Sequence, residues 1–239
     1  MKEKKKELLG ALKKRLDGND VVENQVIKLA LKKLDGARDD GWGVYYSKSG
    51  RRLVAAKKTI EGAYAVKDET QEICDNAFWG CAYLRSVAMP ATVTRIGDEA
   101  FARCLSLESV CVPSSVEEMG KNPFVGLDSK VVNCQSAAFA VDAKILYNAD
   151  RTRLISCMTD ASMIIVPKTV STIGSLAFTR RSKLKKVQLP DGLDRIGRDA
   201  FSDCDNLLSV IVPDGEQKAF RKLLHITEES DMMVLGNEQ

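Results

Sequence analysis

Prolines set a ruler along this chain. Pro90 and Pro113 stand 23 residues apart, as do Pro167 and Pro190, and Pro190 and Pro213. Ile73, Ile96 and Met119 step by the same 23, as do Phe78, Phe101 and Phe124; Ile173 with Ile196 and Phe178 with Phe201 resume it. Cys81 and Cys104, Leu84 and Leu107, and Val87 and Val110 keep the same phase. Five copies emerge, at about 67–90, 91–113, 114–136, 168–190 and 191–213. One such unit cannot bury its own apolar face, whereas stacked units share a core, so the period predicts a solenoid.

Each unit has an internal order. Leu107-Glu108-Ser109-Val110-Cys111-Val112 alternates β-branched residues and reads as a strand. Proline follows where a missing donor is tolerated. Val93 and Ile96 then point inward, Gly97 is expected to permit a turn, and Asp98-Glu99-Ala100-Phe101 is expected to form a tight helical turn that buries its Phe.

The pattern resembles the BspA-type leucine-rich repeats of bacterial proteins, whose motif is roughly P-x-x-V-x-x-I-G-x-x-A-F-x-x-C-x-x-L-x-x-V-x-[IVL]-P. The match is close over Pro90–Pro113 and Pro190–Pro213 and good in the 67–90 and 168–190 copies, although Arg181 stands where the motif has Cys. The 114–136 copy keeps Val116, Met119, Pro123 and Phe124, then departs, with Leu127 for its Cys and Lys130 for its Leu. The resemblance covers roughly 42–224. It implies an α/β repeat solenoid, a right-handed leucine-rich-repeat coil with short parallel strands, and a non-catalytic protein–protein interaction module.

Pro113 and Pro167 are 54 residues apart, so the rhythm is interrupted. Within the gap, ILYNADRTRLIS reads as two strands around an Asn-Ala-Asp-Arg turn, and the earlier GVYYSKSGRRLVAA repeats the idea around Ser-Lys-Ser-Gly. Both resemble a hairpin insertion common in the same family. They predict β-hairpins near 43–56 and 144–157.

The ends read as caps. Leu8, Leu9, Leu12 and Leu16 form a helical stripe over 2–17, and Asp20 with Glu23 opens a second helix over about 21–34. Residues 1–40 are thus predicted to form an N-terminal helical pair, 41–224 the solenoid, and 225–239 a weakly patterned tail. A short helix over about 216–224 closes the solenoid.

Composition narrows the chemistry. The net charge of +3 comes wholly from residues 1–40, which hold eleven Lys/Arg against eight Asp/Glu; the rest carries 25 of each. A neutral body argues against nucleic acid as its default partner. Nucleic-acid or anionic-surface binding therefore rests on the Lys-rich first helix (Lys2, Lys4, Lys5, Lys6, Lys13, Lys14, Arg15). Seven cysteines, an odd number without CxxC spacing, argue against a disulfide framework or a zinc site. Cys81, Cys104 and Cys204 share one repeat position and read as buried packing residues. The single histidine, His225, has no catalytic motif around it. No cofactor or metal motif is present, no stretch is apolar enough for a membrane span, and the chain reads as a non-enzyme. A natural start at Met1 implies the cytoplasm; a signal peptide upstream would imply a cell-surface or secreted adhesion protein instead.

The remaining candidates lie on the strands. Residues between the buried ones line an open sheet: Arg85, Ser86 and Ala88; Glu108, Ser109 and Cys111; Lys185, Lys186 and Gln188; and Leu208, Ser209 and Ile211. Strands stacked about 4.8 Å apart make this a face roughly 20–25 Å long. Of these, Arg85, Ser86, Glu108, Ser109, Cys111, Lys185, Lys186, Gln188, Ser209 and Ile211 are the candidate residues for contacting a protein partner.

Overall fold

The computed structural model describes residues 36–128, 132–224 and 233–236. The predicted helical pair, its basic stretch and His225 lie outside them.

The chain builds the same module twice. An antiparallel meander opens the first, made of β1 (Arg38–Asp39), β2 (Val44–Tyr46) and β3 (Arg52–Ala56). Coils of alternating long and short strands follow: β4 (Glu61–Ala65), β5 (Glu72–Ile73), β6 (Tyr83–Ala88), β7 (Arg95–Ile96), β8 (Ser109–Val112), β9 (Glu118–Met119) and β10 (Val132–Cys134). The long strands stack in parallel as β4-β6-β8-β10 and the short ones as β5-β7-β9, continuing from β3. The second module repeats this order. Its meander is β11 (Phe139–Asp142), β12 (Ile145–Asn148) and β13 (Arg153–Cys157). Its long strands are β14 (Met163–Ile165), β16 (Lys186–Gln188), β18 (Ser209–Val212) and β19 (Met233–Gly236), and its short ones β15 (Thr172–Ile173) and β17 (Arg195–Ile196).

Both predicted hairpins form. Each supplies the first rung of a short-strand ladder: Leu53 pairs with Ile73, and Leu154 with Ile173. The hairpins are therefore woven into the solenoid. Arg38–Asp39 already belong to the first sheet, ahead of the expected start at residue 41. At the other end, Met233–Gly236 pairs with Ser209–Val212 inside the stretch read as tail.

The α/β expectation needs correction. The Asp-Glu-Ala-Phe segments are turns, and the only helix among the described residues is α1 (Gln217–Leu224). The hydrogen bonding supplies the reason. Alternate turn amides donate to the next coil, Asn76 N–H to Asp98 O, Phe78 to Ala100 and Phe101 to Pro123, each at 2.7–2.8 Å, while those between close three-residue turns on their own coil, Ala77 to Cys74 O and Trp79 to Asn76 O at 3.1 Å. A parallel ladder between stacked turns thus satisfies groups that a helix would satisfy internally.

Identical buried positions make the core continuous. Phe78, Phe101 and Phe124 form a stacked spine with ring centroids 5.3 and 5.8 Å apart; Phe178 and Phe201 repeat it at 4.8 Å. Such aromatic pairs add about 0.5–1.5 kcal/mol to area burial. The recurrent cysteines pack in the interior and also tie one coil to another, since Cys104 Sγ donates to Phe78 O and Cys204 Sγ to Phe178 O, both at 3.0 Å. Where Arg181 replaces the Cys, its guanidinium donates to Leu127 O across the seam between the modules.

Two cores result, and the second meander divides them. Leu146, Ile155 and Met158 pack into the first; Ile145, Tyr147, Leu154 and Cys157 pack into the second. Phe220 of α1 closes the second core.

Candidate binding surface

The long-strand ladders present one face to the core and one outward, because side chains alternate along a strand. In the second module the outward positions align in register as Met163, Lys186, Ser209 and Met233, and as Ile165, Gln188, Ile211 and Leu235. Ile165 is 63% exposed and Met233 53%, with Leu208 beside them at 58%. The corresponding row of the first module holds Ala65, Ala88, Cys111 and Asn133, which are small or polar. Inward positions are nearly identical in the two modules (Val87 and Val187, Val110 and Val210), so only the outward chemistry has diverged.

Nine of the ten predicted face residues keep some exposure. Arg85, Glu108, Ser109, Lys185 and Lys186 are exposed; Ser86, Cys111, Gln188 and Ile211 are half-buried. Ser209 is the correction: it is 2% exposed. It lies in register between the longer side chains of Lys186 and Met233, which leave a serine in shadow. The ten do not form one site, since Arg85 to Cys111 lie on one ladder and Lys185 to Ile211 on the other.

Arg85 and Glu108 meet directly. Arg85 Nε and Nη2 donate to one carboxylate oxygen of Glu108 at 2.9 and 2.6 Å. Both side chains are more than 60% exposed, so the pair is worth at most about 1 kcal/mol. A bulge opposite Gly62 leaves Arg85 without a paired residue in the register between β4 and β6. Gly62 lies at φ +72°, and a Cβ there would meet nothing within 4 Å. This bare floor opens a groove of about 970 Å³ lined by Trp42, Glu61, Tyr83, Arg85, Leu105 and Glu108, among others.

Three groove residues escaped the sequence reading. Trp42, Tyr83 and Leu105 are 80%, 65% and 77% exposed. The signal was a break in the repeat's own pattern: Leu105 stands where other copies have Ala82, Ser182 and Asp205, and Tyr83 where they have Ser106, Lys183 and Asn206. Trp42 tops a pinned loop. Asp39 Oδ1 accepts from the amides of Gly41 and Gly43, and Asp40 Oδ1 from those of Trp42 and Val44. Asp40 Oδ2 in turn accepts from Tyr64 Oη at 2.6 Å, and Tyr64 Oη meets Tyr46 Oη at 2.7 Å. Burial, then the bond to Asp40, push the Tyr64 phenol far up, so it stays a donor.

The opposite, short-strand side carries charge. Arg52, Glu72, Arg95 and Glu118 alternate up the first module's ladder, Arg52 Nε lying 3.1 Å from Glu72 and Arg95 against both carboxylates. Its counterpart reads Arg153, Thr172, Arg195.

Three buried thiols are passive. Burial pushes Cys104 up to about 12 and Cys74 and Cys157 to about 11, which suppresses the nucleophilic thiolate. Among the described residues no group of three or more His, Cys, Asp or Glu could hold a metal ion, and no helix is long and apolar enough to cross a membrane.

Known structures place this geometry. The pneumococcal vaccine antigen PcpA is 27% identical, with a TM-score of 0.54 over 64% of this chain and 42% of that one. A leucine rich cell surface protein from Faecalibacterium prausnitzii is 18% identical, with a TM-score of 0.45 over 74% and 60%. The chain thus spans less than two thirds of either structure. A search of curated proteins gave no match. The family described as "BspA type Leucine rich repeat region", in six copies, matches residues 71–207 and 156–229. With its ladders, its phenylalanine spine and more than half its length accounted for, the chain belongs to the BspA-type leucine-rich-repeat family.

Proposed function

We propose that this chain is a non-catalytic protein-binding module whose contact surface is the outward face of its long-strand ladders. One observation carries the reading: the exposed apolar side chains Met163, Ile165, Leu208, Met233 and Leu235 gather on the outward side of the second module's ladder, around the half-buried Ile211 and Gln188, although nothing in the stacking of coils requires large apolar side chains there. Exposed apolar surface gathered on one face in this way marks interaction sites. Repeat solenoids bind extended partners along such faces. The likeness to a bacterial vaccine antigen supports a place outside the cell.

The test is capture of protein partners by the full chain, with and without nuclease, beside an Ile165→Asp/Leu235→Asp variant. Both positions are exposed, so the substitutions leave the core packing in place. A discrete protein that resists nuclease and is lost with the variant supports the reading. Retention by the variant, or capture that depends on nucleic acid, overturns it.

A further inference from the structure

We propose that the groove beside Trp42 receives a lysine- or arginine-bearing segment of the partner, held between aromatic rings and carboxylates. The proposal rests on the protein-binding reading above and names the chemistry of its partner.

Charge balance is the first argument. The groove carries two carboxylates, Glu61 and Glu108, against one cation, Arg85. Arg85 is already engaged with Glu108. Glu61 is exposed and heads β4 at the groove's edge. The lining therefore has an unbalanced negative charge next to apolar surface from Leu105.

The rings give the second argument. Elsewhere this chain sets its own cations against aromatic rings, over the half-buried Trp79 and at the buried Tyr45 and Tyr46. Lys58 Nζ and the Arg103 guanidinium each lie 5.1 Å from the Trp79 ring centre, Lys67 Nζ lies 4.7 Å from Tyr46, and Lys57 Nζ 5.9 Å from Tyr45. Among the described residues no cation lies over Trp42 or Tyr83, the two most exposed aromatic rings. An electron-rich ring face beside a carboxylate is the chemistry that recognises an ammonium or guanidinium.

Preorganisation is the third. Four amide-to-carboxylate hydrogen bonds fix the loop that lifts the Trp42 indole into solvent. Little ordering of the loop remains to be done on binding, which favours affinity. Arg85 then acts as a resident competitor: an incoming cation displaces it from Glu108.

The experiment titrates the full chain with a short synthetic peptide alternating lysine and leucine, against a counterpart alternating glutamate and leucine, by calorimetry. We expect the lysine peptide to bind, the glutamate peptide not to, and the affinity to fall with added salt. Trp42→Ala and Glu61→Gln each weaken binding about three- to tenfold. Arg85→Ala strengthens it about threefold by freeing Glu108. Equal binding of both peptides, indifference to Trp42→Ala, or weaker binding by Arg85→Ala overturns cation recognition. Capture sensitive to Ile165→Asp/Leu235→Asp alongside such a failure sinks this proposal alone; capture retained by that variant, together with such a failure, sinks the protein-binding reading as well.

Discussion

Asn122 stitches the two modules together through Leu176. Its side-chain amide donates to the Leu176 carbonyl at 2.5 Å, while its own oxygen accepts from Ser156 Oγ at 2.5 Å. Both Asn122 and Ser156 are buried, at 1% and 0% exposure. Elsewhere a backbone ladder joins one turn to the next; here side chains, Asn122 and Arg181, bridge the place where the second meander wedges in.

Removing that bridge strands polar groups. We expect Asn122→Ala to destabilise the chain by about 2–3 kcal/mol, because the Ser156 hydroxyl and the Leu176 carbonyl lose their buried partner. Urea unfolding reads the change as a lower midpoint. A loss under about 0.5 kcal/mol would mean that water replaces the amide.

Leu176 itself carries strain. It sits at φ +62°, a position that Asn76 and Asn122 fill in equivalent coils. A branched aliphatic residue is disfavoured in that region, whereas Asn tolerates it. Leu176→Asn keeps the backbone carbonyl that Asn122 uses and should raise stability by about 0.5–1 kcal/mol. A lower melting temperature would show that the half-buried Leu side chain contributes more than its backbone costs.

Gly97 tests the spacing between coils. Its φ is not in the left-handed region, so the turn does not demand glycine. Closeness does: a methyl group there would run into the backbone nitrogen and side chain of Asp75 in the preceding coil, and Gly120 and Gly197 are hemmed in the same way by Asp98 and Ser175. We expect Gly97→Ala to cost about 1–3 kcal/mol or more by forcing the coils apart. A near-neutral variant would show that the stack breathes.

The thiols set an alkaline limit. A raised thiol pKa means that the folded state holds its proton while the unfolded chain, at its ordinary value of 9.0, loses it. That contribution is fully present below about pH 9 and is lost as pH rises toward 12 for Cys104 and 11 for Cys74 and Cys157. At about pH 10 each of the three should cost roughly 1 kcal/mol. Cys104→Ala should flatten the pH dependence of the urea midpoint by that share; an unchanged slope would assign it to other groups.

The repeat was legible because burial acts on every copy alike. Phe78, Phe101 and Phe124 must fill the same space, so selection for packing writes one residue at one interval. The hairpins were legible from their turn chemistry: Gly50 and Arg151 occupy the same left-handed position, at φ +75° and +57°. What stayed hidden depends on neighbours far along the chain. That Gly97 answers to Asp75 is a fact about coil separation, and that Ser209 is shadowed depends on Met233, whose strand has no repeat signature. The groove was illegible for the opposite reason. Trp42, Tyr83 and Leu105 lie where stacking imposes nothing, and a periodic pattern is silent about positions it does not constrain.

The second meander has core on both of its faces, and that bears on how the molecule comes apart. A stack of coils that touch only their neighbours can shed them from an end, one after another. Here Leu146, Ile155 and Met158 stand in one interior while Leu154 and Cys157, from the same strands, stand in the other. Melting either interior strips one side of a shared wall and leaves its apolar residues facing water. Heat should therefore find one cooperative object, with a single transition, where the strand order shows two modules in tandem.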